Sequence, residues 1–183
     1  MKFTITQKEL KNLARFCAAP SMHRPALENI FLEVKNGMVR LCATNGAALI
    51  VIEKEGEKLK EGDKFLLPVD LYKDLKPSGI IEIEWNEGTG YFTGCDLKNG
   101  GGRLIIPQPM EKGPAPNFDL VLKDLSKAEL AQDYAIFKPE YLKKAADAIG
   151  YGFYNIVPTT VGKNHPHFWS IAGTVVCLMP CRP

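Results

Sequence analysis

Lys2-Phe3-Thr4-Ile5-Thr6-Gln7-Lys8-Glu9-Leu10-Lys11-Asn12-Leu13-Ala14-Arg15-Phe16-Cys17 changes its hydrophobic period in mid-course. Up to Thr6, apolar and polar residues alternate with the two-residue period of a half-buried strand. Beyond it, Leu10, Leu13, Ala14 and Cys17 recur at the spacing of one helix face. Thr6 stands where an N-cap belongs. A strand running directly into an amphipathic helix is therefore the first unit of the fold.

Moving outward, Ala19-Pro20-Ser21 interrupts regular structure, and residues 30–34 and 39–43 read as two strands around Lys35-Asn36-Gly37. An Asn-Gly pair between apolar runs is a strong hairpin signal, because both residues tolerate the left-handed backbone of a tight turn. Residues 48–53 form a further strand, and the mixed-charge stretch 53–64, with Gly56 and Gly62, reads as a solvated loop. Residues 65–68 then lead into a short helix at 69–76, stopped by Pro77-Ser78-Gly79. Strands at 80–85, 90–93 and 102–106 complete a second β-α-β-β-β run, so the layout is internally duplicated. A third run starts at 134–137 and continues through a helix at 139–149, with Pro139 in its first turn and Gly150 at its end. It closes with strands at 154–158, 167–171 and 174–179. Between the second and third runs, residues 107–116, with four prolines and one glycine, form a connector. The domain division falls after it, near Leu122. Residues 123–132 read equally as helix or as an edge segment.

Composition bounds what such a chain can do. Its 183 residues suffice for one full core with a smaller appended unit. Hydrophobic residues at 45% make it a folded globular chain rather than a disordered tail. The net charge of +2 does not by itself announce a nucleic-acid binder. No basic, apolar signal segment opens the chain, and no apolar run approaches the ~20 residues of a membrane span, so a cytoplasmic location is expected. The cysteines at 17, 42, 95, 177 and 181 are odd in number and lack paired short spacings, which disfavours a disulfide framework or a zinc site. Cys177 and Cys181, four apart in a strand-like segment, are too distant to bridge.

Three stretches, taken with the repeated layout, carry a family resemblance: Ala43-Thr44-Asn45-Gly46-Ala47-Ala48-Leu49, Pro116-Asn117-Phe118-Asp119-Leu120-Val121, and Val175-Val176-Cys177-Leu178-Met179-Pro180-Cys181-Arg182-Pro183. In this order they resemble the bacterial DNA sliding clamp, the beta subunit of DNA polymerase III. The first is similar to that family's Ala-Thr-Asp-Gly-His-Arg-Leu, and the last to its closing Met-Pro-Met-Arg-Leu. The resemblance implies an α+β, DNA-clamp-like fold of β-α-β-β-β repeats, with antiparallel sheets and helices on one face. It maps residues 1–122 onto one complete clamp domain and residues 123–183 onto the C-terminal half of another.

The same resemblance implies a groove for short peptides carried by DNA polymerase or repair proteins, and a clamp loader as a further partner. One wall would hold Leu27, Thr44, Gly46, Ala47, Ala48, Leu49, Pro116 and Val121, the other Cys177, Met179 and Pro180. Leucine, valine and methionine bury apolar side chains, and Gly46 lets backbone approach closely. Ala47 and Ala48 depart from the family's His-Arg pair, Asn45 from its Asp, Cys181 from its second Met and Pro183 from its terminal Leu. These departures imply a wider, less selective groove. On the helices, Lys8, Lys11, Arg15, Lys73, Lys76, Lys143 and Lys144 are the family-like candidates for weak, sequence-independent contact with duplex DNA. Glu9, Asp70, Asp74, Glu140 and Asp147 share those helices, which fits an ordinary solvated face equally well.

Other chemistry is thin. Asn99-Gly100-Gly101-Gly102-Arg103 lacks the lysine and hydroxyl residue of a phosphate loop and reads as a hairpin turn. His165-Pro166-His167 reads as a surface loop, since no further ligand pattern supports a metal. No catalytic triad or carboxylate pair assembles from the sequence. A binding protein without cofactor is expected, either a homo-oligomeric processivity or recruitment factor or a non-encircling module that competes for clamp-binding partners. Residues 139–183 are expected to pack on the first domain or on another chain, because a half-sheet exposes an edge and one helix face.

Overall fold

The computed structural model describes all residues except 25–26, 68, 75–78, 87–88, 95–101, 107–115, 132–134 and 182–183. Strand β1 (Lys2–Thr6) passes without a loop into α1 (Gln7–Phe16). Thr6 Oγ1 accepts from the Glu9 amide at 3.2 Å, and the Glu9 carboxylate accepts from the Thr6 amide at 2.9 Å, a reciprocal capping box. Lys54 donates to the same carboxylate. Burial alone would raise the Glu9 pKa, but the bonds from Lys54 and Thr6 outweigh it and hold the carboxyl below its ordinary value.

Next come β2 (Ile30–Lys35), β3 (Met38–Thr44) and β4 (Ala48–Lys54). The β2–β3 turn is built as the Asn-Gly signal predicts, with Asn36 at φ 52° and Gly37 at φ 71°. Then follow β5 (Gly56–Glu57), β6 (Lys64–Leu67), a 3-10 turn (Val69–Asp74), β7 (Ile80–Asn86), β8 (Thr89–Gly94) and β9 (Gly102–Ile106). The C-terminal part contains α2 (Phe118–Leu122), a 3-10 turn (Leu125–Lys127), β10 (Glu129–Leu130), α3 (Pro139–Ile149), a 3-10 turn (Gly150–Asn155), β11 (Thr159–Thr160), β12 (His167–Ile171) and β13 (Thr174–Leu178).

All strand pairings in the two sheets are antiparallel, and the first strands of the two runs are exchanged between them. β1 leaves its own run to pair with β7, in the order β5-β1-β7-β8-β9, while β6 pairs with β2 in an eight-stranded sheet, β10-β11-β12-β13-β4-β3-β2-β6. Residues 139–183 thus pack on the first unit, through β13 on β4. The sequence division near Leu122 lies at the end of α2, and the larger sheet runs through both units that it separates.

One face of the larger sheet carries the two longer helices. α1 lies over β3 and β4, α3 over β12 and β13, and the two helices touch each other. Leu10, Leu13 and Phe16 of α1, with Tyr141, Ala145 and Ile149 of α3, share a core with Leu41, Ile50, Val176 and Leu178. The opposite face holds a second apolar cluster of Phe31, Cys42, Leu49, Val51, Phe168 and Cys177, capped by Phe118 of α2. Among the described residues, no helix is long and apolar enough to cross a membrane.

Four local expectations are corrected. The second-run helix is a 3-10 turn over Val69–Asp74, a form usual for runs this short. Residues 154–158 hold the end of a 3-10 turn instead of a strand, and pairing begins only at Thr159. In the stretch 134–137, Tyr134 is outside the described residues and the rest is irregular, Ile136 accepting a hydrogen bond from the Cys181 amide at 2.7 Å. The charged stretch 53–64 contains β5, which covers the edge of β1. A Cβ on Gly56 would stand 2.9 Å from the Lys2 carbonyl oxygen, so this edge contact requires glycine.

The capping box predicts that Thr6→Ala costs about 1 kcal/mol. For a chain of this length that lowers Tm by roughly 2–4 °C, readable by calorimetry. An unchanged Tm would show that the cap contributes nothing to stability.

Candidate functional site

A groove forms where the β3–β4 turn, the end of β13 and α2 meet. The turn is tied down by its own side chains. Asn45, 4% exposed, accepts from the amides of Ala47 and Ala48, both at 3.0 Å. Thr44 Oγ1 accepts from the Gly46 amide at 3.0 Å and donates to the Ala48 carbonyl at 2.8 Å. Gly46 takes φ +91°, a conformation that side chains resist, so backbone geometry as well as close approach calls for glycine here. The Arg24 guanidinium donates to the Asn45 carbonyl at 3.1 Å from the outside.

The second wall is fastened to the first through backbone. Leu49 stands opposite Cys177 and Ala48 opposite Leu178, and the Met179 amide donates to the Ala47 carbonyl at 2.9 Å. Burial pushes the Cys177 thiol up to about 12, so it stays protonated and presents an apolar surface. The third wall is α2. The Phe118 ring meets Phe31 edge-on, with centroids 5.4 Å apart. Lys35 and Arg40 both bind Asp119, the latter at 3.2 Å, and Arg40 also holds Glu33 at 3.2 Å and Glu53 at 3.3 Å. The Lys35 hydrogen bond is the main cause that holds the Asp119 carboxyl below its ordinary value.

These walls enclose a mostly apolar cavity of about 320 Å³. It brings together ten of the eleven positions expected from sequence: Leu27, Thr44, Gly46, Ala47, Ala48 and Leu49 on one side, Pro116 and Val121 on another, and Cys177 and Met179 across from them. Pro180 follows Met179 without lining it. Asn117 and Phe118 line it as well and were not singled out, although they sit inside the quoted 116–121 motif.

The basic helix residues are less uniform. Lys8 and Lys11 are exposed on α1 and Lys143 on α3, without an ion pair among the described residues. Arg15 is bound to Asp147 at 2.7 Å, and Lys73 to Asp70 at 2.6 Å. Lys144 is half-buried with its Nζ 5.6 Å from the Tyr141 ring, and burial lowers its pKa against the pull of Glu140. Lys76, the start of the 99–103 motif, Cys95, Arg182 and Pro183 lie outside the described residues.

The histidine motif is corrected. His165 is exposed, but His167 is only 1% exposed and begins β12, edge-on to Phe137 at 5.1 Å. Its Nδ1 donates to the His165 carbonyl at 3.0 Å, and Nε2 is buried without a partner among the described residues. The period-2 alternation of a strand, not the proline beside it, decides which way this side chain faces.

Exchanged first strands, the two longer helices side by side on one face of an antiparallel sheet and a groove on the other define the DNA-clamp fold. No protein-family model matches the sequence, and no curated protein matches it significantly. Solved structures do: the fold is that of the bacterial DNA polymerase III beta subunit, the sliding clamp. The Thermotoga maritima subunit is 16% identical with a TM-score of 0.59, covering 100% of this chain and 66% of its own. The Pseudomonas aeruginosa clamp with ligand is 16% identical at TM-score 0.63, covering 100% and 66%. The Bacillus subtilis clamp is 12% identical at TM-score 0.62, covering 100% and 64%. The chain thus spans about two thirds of the length of the clamps that it matches.

Burial lowers the His167 pKa below the ordinary 6.5, opposed by the bond to His165. A depressed folded pKa means that the unfolded chain takes the proton first. Stability is therefore full above pH 6.5 and is lost as pH falls below it. Urea midpoints between about pH 7.5 and 5 should decline in the native chain and be flatter in His167→Phe, before carboxylates titrate. Equal slopes in the two proteins would refute the assignment.

Proposed function

We propose that this chain is a clamp-like processivity or recruitment factor, a binding protein rather than an enzyme, which takes short apolar peptides of DNA polymerase or repair proteins into the groove. The observation that carries the reading is the convergence of three sequence-distant stretches, 44–49, 116–121 and 177–179, on one cavity. Its volume lies at the small end of the ~300–1,000 Å³ typical of ligand sites, enough for a few apolar anchors. The turn at 44–48 and the ladder beneath it are held by their own hydrogen bonds, so little ordering opposes binding. Met179, 42% exposed, adapts its unbranched side chain to the anchor.

In this reading residues 1–122 are a complete clamp domain and residues 123–183 the C-terminal half of another, with further copies and a clamp loader as partners. Among the described residues, Lys8, Lys11 and Lys143 are the exposed candidates left for phosphates once Arg15 and Lys73 are paired. Few contacts make the affinity for duplex DNA low and strongly salt-dependent, since each neutralised phosphate adds about −0.9 to the log–log salt slope.

A fluorescein-labelled peptide bearing the clamp-binding motif of a bacterial replicative polymerase should bind saturably by anisotropy. Met179→Glu places a charge in the cavity and should weaken binding at least tenfold, an effect of about 1.4 kcal/mol. Absence of binding, or binding that Met179→Glu leaves unchanged, would overturn the reading.

A further inference from the structure

His167 is buried, titratable and unused by the groove, yet it lies close behind one of the groove's walls. In the β12–β13 ladder it stands opposite Leu178, the residue before Met179. Its ring shares the helix side of the sheet with Trp169, two residues on, and so faces away from the groove. An irregular segment, residues 135–137, covers it. Phe137 meets His167 edge-on at 5.1 Å and Trp169 at 5.7 Å. Ile136, 68% exposed, accepts the bond from the Cys181 amide at 2.7 Å, and two residues earlier the Met179 amide donates to Ala47. The segment after Leu178 is thus tied at two points, to the groove turn by Met179 and to the cover of His167 by Cys181.

A positive charge has no counterpart in this pocket. The Nδ1 bond to the His165 carbonyl serves the neutral and the charged ring alike, whereas a proton on Nε2 would find no acceptor among the described residues. β11 (Thr159–Thr160) carries no ionisable side chain, and the Cys177 thiol of β13 lies on the opposite face. Lys163 and His165, in the loop before β12, are exposed. Lys138, which follows Phe137, holds its Nζ over the Tyr141 ring at 5.9 Å, and Lys144 lies over the same ring at 5.6 Å. On α3, Asp147 is taken by Arg15, and Glu140 and Lys143 are exposed. Burial is the main influence on the imidazole and disfavours its charged form.

We infer that His167 is an acid-sensitive latch on the groove: when it takes a proton, residues 135–137 lift to admit water, Cys181 loses its acceptor at Ile136, and the Met179 wall loosens. The cover yields first because the ring's lateral neighbours, Thr160 and Leu178, are held in strand ladders. Linkage gives the sign, since the protonated ring favours the loosened wall. Peptide affinity therefore falls as pH drops below 6.5, and bound peptide in turn resists protonation. Only this last consequence rests on the groove's taking a peptide; the loosening of the wall does not.

The test uses the full chain from about pH 7.5 down to about 5.5, where histidine titrates and carboxylates largely do not, with circular dichroism confirming the fold. NMR protection factors, corrected for the intrinsic pH dependence of exchange, should fall about threefold or more at the Cys181 and Met179 amides of the native chain. They should stay constant at the β3–β4 pairing, and at all these amides in His167→Phe and His167→Gln. The polymerase peptide, in a version without histidine and labelled with rhodamine, should bind the native chain about threefold or more weakly at the lower pH. The two variants should bind it equally at both. Constant protection at Cys181 and Met179 in the native chain, or an equal fall in the variants, would overturn the inference. So would a pH profile of peptide binding that native chain and variants share. Absence of binding at either pH would be a failure of the groove reading, and the two amides would then decide the latch by themselves.

Discussion

The ladder between β4 and β13 is the constraint on which the rest depends. Five paired positions, from Ala48–Leu178 to Ile52–Thr174, join a strand of the first unit to the last strand of the chain. Because side chains alternate across a strand, this ladder serves two cores at once. Ile50, Ile52, Val176 and Leu178 point to the face of α1 and α3, while Leu49, Val51 and Cys177 point to the face of α2. The first set makes a helix-bearing core from two units that are far apart in sequence. The second set floors the groove.

The third wall needs a separate device, because a five-residue helix has little stability of its own. α2 is pinned at its N-terminal end, by burial of Phe118 against Phe31 and by the ion pairs of Asp119. Asp119 is half exposed, and an isolated surface pair there would contribute little. Arg40 differs, since its side chain is only 11% exposed and three carboxylates surround it. A guanidinium already fixed by Glu33 and Glu53 loses little further freedom on binding Asp119, and so holds α2 more effectively than a free lysine would.

The parts legible in the sequence are those whose signal is local. The alternation of residues 2–6, the helical spacing after Thr6, the Asn-Gly turn and the Pro139 and Gly150 punctuation each describe an element that its own residues dictate. The groove was legible because its walls lie in three short motifs, and the fold then brings ten of those positions to one cavity. What escaped depends on distant partners. β5 is two residues that become a strand only against β1, and α2 persists only through Phe31, Lys35 and Arg40. The His165-Pro166-His167 motif reads as a surface loop for want of a ligand pattern, although the strand at 167–171 begins with His167, and the β12–β13 pairing fixes its ring against Phe137. Arg15 illustrates the same limit, since sequence gives its helix but not the distant Asp147 that occupies it.

A sheet that serves different purposes on its two faces must also fix its register, because a one-residue slip would exchange every side chain between them. Here Val176 would replace Cys177 in the groove, and Cys177 would enter the helix core. Both ends of the ladder are secured against this. At one end the tight turn of Ala172 and Gly173, at φ 44° and 75°, presents the Gly173 carbonyl to the Glu53 amide at 2.9 Å. At the other, the Met179 amide reaches the Ala47 carbonyl at 2.9 Å, and Ala47 is itself held by Asn45. The turn at 44–48 thus shapes the groove mouth and sets the register from which the floor follows. The Ala47-Ala48 pair suits this role, because a small residue at position 48, only 2% exposed between the strands, fits where a long charged side chain would have to be desolvated.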